Sequence, residues 1–229
     1  MPKDKISEAK EICKIVREGL PDRWDGKECI LELKNANYQW KQMEWIGWYF
    51  EYKAIDLLQA RFGSNPGPSF GLTKFDFKLN YVWDFKTHPT NPPASSSGRN
   101  WVIVNDKEAI DKCSIKFEGL GVVMAEGEAE YDDSTASFKS WHDSLKGGRS
   151  DYENERIKRG APSRQRKKAF NLSKLEAIWL DKSILNTGLE HGWVSLFQEG
   201  MRNADGSKWR AKYSLNLEKL PYEARLASI

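Results

Sequence analysis

The stretch KFDFKLNYVWDFKTH, residues 74–88, holds the tripeptide Asp-Phe-Lys twice, at 76–78 and again at 84–86. In a strand, residues i and i+2 share a face, so Asp84 and Lys86 project together while Phe85 turns to the other side. Directly opposed residues of an antiparallel hairpin also share a face. A three-residue turn centred on Asn80 therefore sets Asp76 opposite Asp84, whereas a two-residue turn at Asn80-Tyr81 slips the register and separates the carboxylates. With the first turn, two carboxylates and an ammonium converge on one side. Unpaired carboxylates this close repel each other, which makes a divalent cation their natural companion. Hard oxygen ligands suit Mg²⁺, which keeps waters in its remaining positions. Such a cation polarises a phosphoryl oxygen and eases formation of the nucleophile, while Lys86 offsets charge on the pentacovalent state. The chemistry spelled out is phosphodiester hydrolysis. The competing reading is a surface ladder of alternating charge, with Lys74, Asp76 and Lys78 facing Asp84 and Lys86. Tyr81-Val82-Trp83, just before the second copy, is too apolar for an exposed edge.

These residues need elements to hold them. Ile6, Ala9, Ile12, Cys13, Val16 and Leu20 recur at helical spacing and predict an amphipathic helix over 4–20. A second, heavily apolar helix is expected from about Tyr38 to Phe62, ended by Gly63 and the turn-rich SNPGPS. Phe70–Leu79 and Tyr81–Thr87 read as short strands joined at Asn80, and His88–Asn100 as a loop. Trp101–Asn105 follows as a buried strand, Asp106–Cys113 as a brief helix, and Phe117–Glu128 as a further strand with Gly119 and Gly121 near its start. Beyond Asp132 the pattern turns to helix, basic loop and a helix around Leu172–Leu185. It closes with a hairpin about Asn203-Ala204-Asp205-Gly206.

Motif and element order together resemble the PD-(D/E)xK phosphodiesterases, the superfamily that includes most type II restriction endonucleases. The (D/E)xK element is Asp84-Phe85-Lys86, and the first acid is Asp76, preceded here by Phe75 where the family name has proline. GWYFEYKAIDLL looks like the family's acidic helix and places Glu51 there, with Glu44 two turns earlier as the fallback. The resemblance implies an α/β (α+β) fold with a restriction-endonuclease-like αβββαβ core, a central mixed sheet flanked by helices, and a helical and hairpin C-terminal extension. It implies one nuclease domain, with an N-terminal helical segment (1–37), a catalytic core (38–130) and a recognition extension (131–229). It implies Asp76, Asp84, Lys86 and Glu51 as catalytic residues, and Asp76, Asp84, Phe85 and Glu51 around Mg²⁺. Lys78 is expected to be ancillary. The expected activity is Mg²⁺-dependent, sequence-specific cleavage of double-stranded DNA. A palindromic target then requires a homodimer with one site per strand; the resemblance leaves open whether a DNA methyltransferase acts on the same site as companion. Two rivals remain open: a repair or recombination nuclease of the same superfamily, and a non-catalytic basic module that binds DNA or RNA.

Contacts to DNA are sought where cations gather. RIKRGAPSRQRKK, from Arg156 to Lys168, holds seven Lys or Arg and no acid, and Gly160, Pro162 and Ser163 interrupt it. It reads as a loop presenting cations to phosphates, which supply most non-specific DNA affinity. Arg164, Gln165, Arg166, Lys167 and Lys168 are candidates there, as are Arg202, Asn203, Lys208 and Arg210 around the C-terminal hairpin. Their chemistry suits guanine and adenine edges, phosphate anchoring or plain solubility. Met43, in QWKQMEW, is a candidate wedge between base pairs, against the commoner use of Met as core filler.

Composition narrows the rest. Three scattered cysteines, Cys13, Cys29 and Cys113, form no CxxC pair, so neither a disulfide framework nor a zinc knuckle is indicated. Only His88, His142 and His191 are present, which leaves HNH or zinc-hydrolase chemistry poorly supported. No GxxxxGK[ST] loop appears, which argues against ATP use. No stretch approaches the apolar length of a membrane span. The charged stretch MPKDKISEAKEIC does not fit a signal peptide, so a cytoplasmic protein is expected.

Overall fold

The computed structural model describes residues 4–93, 100–161, 165–202 and 205–229. In chain order its elements are α1 (Lys5–Gly19), β1 (Arg23–Asp25), α2 (Gly26–Asn35), α3 (Trp45–Phe62), β2 (Ser69–Phe70), β3 (Thr73–Lys74), β4 (Phe77–Lys78), β5 (Val82–Pro89) and β6 (Trp101–Asp106). There follow α4 (Lys107–Phe117), β7 (Leu120–Tyr131), α5 (Ser137–Leu145), α6 (Asp151–Lys158), β8 (Lys167–Leu180), α7 (Lys182–His191), β9 (Val194–Phe197), β10 (Lys212–Asn216) and β11 (Arg225–Ser228). Among the described residues no helix is long and apolar enough to cross a membrane.

A mixed sheet in the order β1-β8-β7-β5-β4 is the backbone of the molecule. The β5–β7 pair is parallel and its other pairs are antiparallel. β8 is long enough to carry two edge strands end to end, β1 along Ala169–Asn171 and β11 along Glu176–Ile178. Alternation along the strands divides the core between the two faces. Trp83, Phe85, Val123, Ala125 and Trp179 face α1, α2 and α3. Val82, Val122, Met124, Ile178 and Leu180 face α4, α7 and a second sheet of order β6-β10-β9. Gly119 and Gly121 admit two indole rings onto the sheet: a Cβ would meet Trp179 at 2.4 Å and Trp83 at 2.3 Å, respectively.

Several expectations are corrected. The helix expected around Leu172–Leu185 is strand as far as Leu180, and α7 starts only at Lys182. The cause is a bulge. Gly127 pairs with Leu172 and Glu126 with Lys174, so Ser173 is extra. Leu172 and Leu175 are both buried, three residues apart, and the extra residue mimics a helical period. The third core strand exists, but β6 pairs with β10 outside the main sheet. The strand expected over Phe70–Leu79 breaks into β2, β3 and β4. The first two fold on each other about Gly71, whose φ of +61° suits glycine in a tight turn. α3 begins at Trp45 instead of near Tyr38, because Asn37 and Gln39 take positive φ and interrupt the helical path. The N-terminal segment is not wholly helical, since β1 joins the main sheet beside β8. His88 lies in β5, buried, instead of in a loop. The C-terminal hairpin forms as expected, with β9 and β10 paired and a bridge between Arg202 and Lys208.

Candidate active site

The hairpin register sets the site. Phe77 pairs with Trp83 and Lys78 with Val82, the register of a three-residue turn at Leu79-Asn80-Tyr81. Continued by one residue, that register puts Asp76 against Asp84. A residue far away in sequence holds the turn. Glu8, on the buried face of α1, is fully enclosed, and four N–H groups converge on its carboxylate. Asn80 N and Nδ2 donate to Oε2 at 3.2 and 2.8 Å, while Tyr81 N and Trp83 Nε1 donate to Oε1 at 3.1 and 2.8 Å.

β4 stops two residues into the ladder, which leaves the edge of β5 open beyond Trp83. The Asp76 side chain fills the first vacant ladder position: Phe85 N donates to Asp76 Oδ2 at 2.7 Å. In a parallel pair, alternate residues direct both main-chain groups to the same edge, so the Phe85 carbonyl points the same way. That carbonyl accepts from Lys86 Nζ at 3.2 Å, and the same Nζ stands 2.5 Å from Asp84 Oδ2. Asn105 of β6 donates to Asp84 Oδ2 at 3.3 Å from the other sheet. Glu51 reaches in from α3, its Oε1 accepting the Tyr38 hydroxyl at 2.5 Å.

Electrostatics bind these groups into one unit. Burial, then the neighbouring Asp84, pushes the Asp76 carboxyl well above its ordinary value, against the pull of Lys86. Burial also raises Glu51, opposed by the Tyr38 hydrogen bond and by Lys86. Lys86 loses from burial, but Asp84, Asp76 and Glu51 outweigh that loss and hold its pKa above the usual lysine value. The ammonium thus sits where the oxygens of Asp84 and Phe85 converge. Among the described residues, no three His, Cys, Asp or Glu side chains form a ready metal cluster. The oxygens that converge are the Asp84 carboxylate and the Phe85 carbonyl, gathered on the Lys86 ammonium, with Asp76 and Glu51 beside them, and hard oxygen donors of this kind suit a divalent cation such as Mg²⁺.

The raised Asp76 carries a stability consequence. A carboxyl whose folded pKa exceeds its unfolded one costs nothing below the unfolded value and progressively more as pH climbs through the folded one. Asp76→Asn keeps an oxygen for Phe85 N and removes the repelling charge. In EDTA the variant should melt above the parent near neutral pH, with the difference vanishing as pH falls toward the ordinary carboxylate value of 3.8. Melting below the parent at neutral pH would show that the carboxylate is not strained.

The remaining candidates scatter. Lys78 turns from the site, donating to Leu79 O at 3.1 Å with its Nζ over the Phe117 ring. Glu44 precedes α3, is exposed and pairs with Lys167 at 2.7 Å, so the helix carboxylate at the site is Glu51. The run from Arg156 to Lys168 is not one cation-bearing loop, since 156–158 end α6 and 167–168 open β8. Arg166 is buried beside Glu153, Gln165 donates to Asp132 O, and Lys168 is exposed. Met43 is half-buried just before α3. Arg202 donates to Gly206 O at 2.8 Å within its own turn, and Lys208 is exposed at the same tip. Arg210 bonds Thr73 and pairs with Asp106 at 3.4 Å, next to Asn105. Arg164 and Asn203 lie outside the described residues. Sequence reasoning missed Asn105, Tyr38 and Glu8. A polar residue at the end of an apolar strand, as in WVIVN, is the one local signal that points to Asn105.

No protein-family model matches the chain, and no curated protein matches it. Among solved structures the chain is similar to the restriction endonuclease MvaI–cognate DNA substrate complex, at 12% sequence identity and a TM-score of 0.39, over 100% of this chain and 99% of that one. A likeness this distant carries no weight for fold or chemistry, which rest on the geometry above.

Proposed function

We propose that the protein is a Mg²⁺-dependent endonuclease of double-stranded DNA, acting at a short specific site in the manner of a type II restriction enzyme. One observation carries the reading: Asp76 and Asp84 meet across a hairpin, at an open strand edge, with Lys86 Nζ 2.5 Å from Asp84 Oδ2. Asp84, Asp76, Glu51 and the Phe85 carbonyl would hold Mg²⁺, which supplies a Lewis acid for the phosphoryl oxygen and lowers the cost of forming hydroxide. Lys86 places a positive charge where the pentacovalent phosphorus gathers negative charge. Asn105 fixes the Asp84 carboxylate, and Tyr38 fixes Glu51. The open edge of β5 admits the scissile phosphate, and the buried Phe85 ring behind it keeps the strand from shifting. A palindromic site would engage two copies of the chain, with a methyltransferase protecting host sites. Plasmid digestion with Mg²⁺, followed by sequencing of the product ends, tests this. Discrete fragments with a common end sequence are expected. Cutting without site preference would move the reading to a structure-specific nuclease, and no Mg²⁺-dependent cutting would remove it.

A further inference from the structure

A cleft of about 560 Å³ lies away from the carboxylates, between the segment preceding α3 and the α5–α6 connection. Lys41, Met43, Lys146, Arg149, Arg156 and Arg166 line it, with Glu153 as the acid among them. The acids of this region already have lysine partners. Glu153 stands 2.7 Å from Lys139 Nζ, and Asp143 stands 2.9 Å from Lys139 and 2.8 Å from Lys146. Arg166 is what remains. It is 7% exposed, its Nη2 is 3.8 Å from Glu153, too far for a hydrogen bond, and Nε and Nη1 have no acceptor among the described residues. A buried guanidinium with two unmet donors is costly unless something brings acceptors to it. Nε and Nη1 point from different edges of the planar guanidinium, and each has a donor to offer an oxygen of an entering anion. Lys41 and Arg149 stand exposed at the rim and add positive charge around the opening.

We infer that this cleft is a phosphate-binding subsite, with Arg166 as its floor and Lys41 and Arg149 as its rim. The phosphate comes either from the backbone of bound DNA or from a strand terminus. The backbone source rests on the nuclease reading, and one distance favours it. The cleft opens at the N-terminal end of α3, and from Glu44 to Glu51 the helix rises roughly 10 Å. A strand running from the mouth of the cleft to Glu51 would cover that rise in about three nucleotides. Met43 then serves as an apolar wall of the cleft.

The test measures binding in EDTA, so that cleavage plays no part. Parent, Arg166→Gln and the double variant Lys41→Gln/Arg149→Gln are compared on a random duplex over a salt series. They are also compared on a trinucleotide with either a 5′-phosphate or a 5′-hydroxyl. The rim variants carry exposed substitutions and keep the test valid should Arg166→Gln fail to fold. If the cleft holds a backbone phosphate, the variants lower the slope of log affinity against log salt by about 0.9 per lost contact. If it holds a terminal phosphate, the phosphorylated trinucleotide binds the parent at least tenfold tighter than the hydroxyl form. The variants then lose that preference, with the duplex slope unchanged. An unchanged slope together with no preference for the phosphorylated form overturns the subsite. The nuclease reading stands or falls separately, on Mg²⁺-dependent cutting by the parent.

Discussion

Asp84→Ala should bind duplex DNA with nearly parental affinity and cut it at least about 10³-fold more slowly, a loss on the scale of removing a principal transition-state contact. Asp84 is 1% exposed and is the group that Lys86 and Asn105 both address. Its removal takes away the anchor of the ammonium and, in the proposed reaction, a ligand of the metal as well. Lys86→Ala should lose a similar factor for a different reason, because the charge facing the pentacovalent phosphorus is gone. The two variants also part in stability. Without Lys86, three carboxylates face one another with no cation, and breaking a largely buried pair in this way costs about 3 kcal/mol. Lys86→Ala should therefore melt lower than the parent in EDTA and recover most of the loss when Mg²⁺ is added. Asp84→Ala should recover little. Gel-shift binding in Ca²⁺, single-turnover cleavage and thermal melts with and without metal read all three effects. Parental cleavage by either variant would remove this site assignment.

The pair of Asp-Phe-Lys copies was legible because strand alternation and turn length are local rules. The three-residue turn needs only the positions of Asp76, Asn80 and Asp84, and β4–β5 pairs in that register. The two copies also differ in where their lysines lie, with Lys86 beside Asp84 and Lys78 over Phe117. Local rules failed where a distant partner decides. β8 reads as helix because the bulge at Ser173 resets its alternation, and only pairing with β7 reveals the bulge. β6 reads as a core strand, and it is one, but its partner is β10, more than a hundred residues away. Asn105 and Tyr38 complete the site through contacts that no short-range pattern encodes. The basic run was misjudged in part for the same reason: Glu44, remote in sequence, claims Lys167, while Glu153 of the preceding helix faces Arg166.

Glu8 is the extreme case, and it gives the largest expected effect on stability. A charge in the first turn of an amphipathic helix belongs on the solvent side by pattern. Here Ile6 is the exposed residue, at 47%, and Glu8 lies fully inside with Ala9, Ile12, Cys13 and Val16. Its carboxylate receives Asn80 N, Asn80 Nδ2, Tyr81 N and Trp83 Nε1, so it binds both ends of the turn that fixes the register. Glu8→Ala would leave those donors buried without an acceptor. Hydrogen bonds to a charged group contribute roughly 1.5–3 kcal/mol each, and an orphaned donor costs about as much. Allowing for relaxation and water entry, a loss of about 3–5 kcal/mol follows, or roughly 10 °C in melting temperature for a chain of this length. Glu8→Gln should be nearly as damaging, because its amide nitrogen would face two donors. The second consequence reaches the chemistry. With the turn released, the hairpin can slip by one residue, which separates Asp76 from Asp84. At a temperature where Glu8→Gln is still folded by circular dichroism, cleavage should therefore fall at least tenfold with binding retained. A variant that melts within about 2 °C of the parent and cuts at the parental rate would show that the turn holds its register without Glu8.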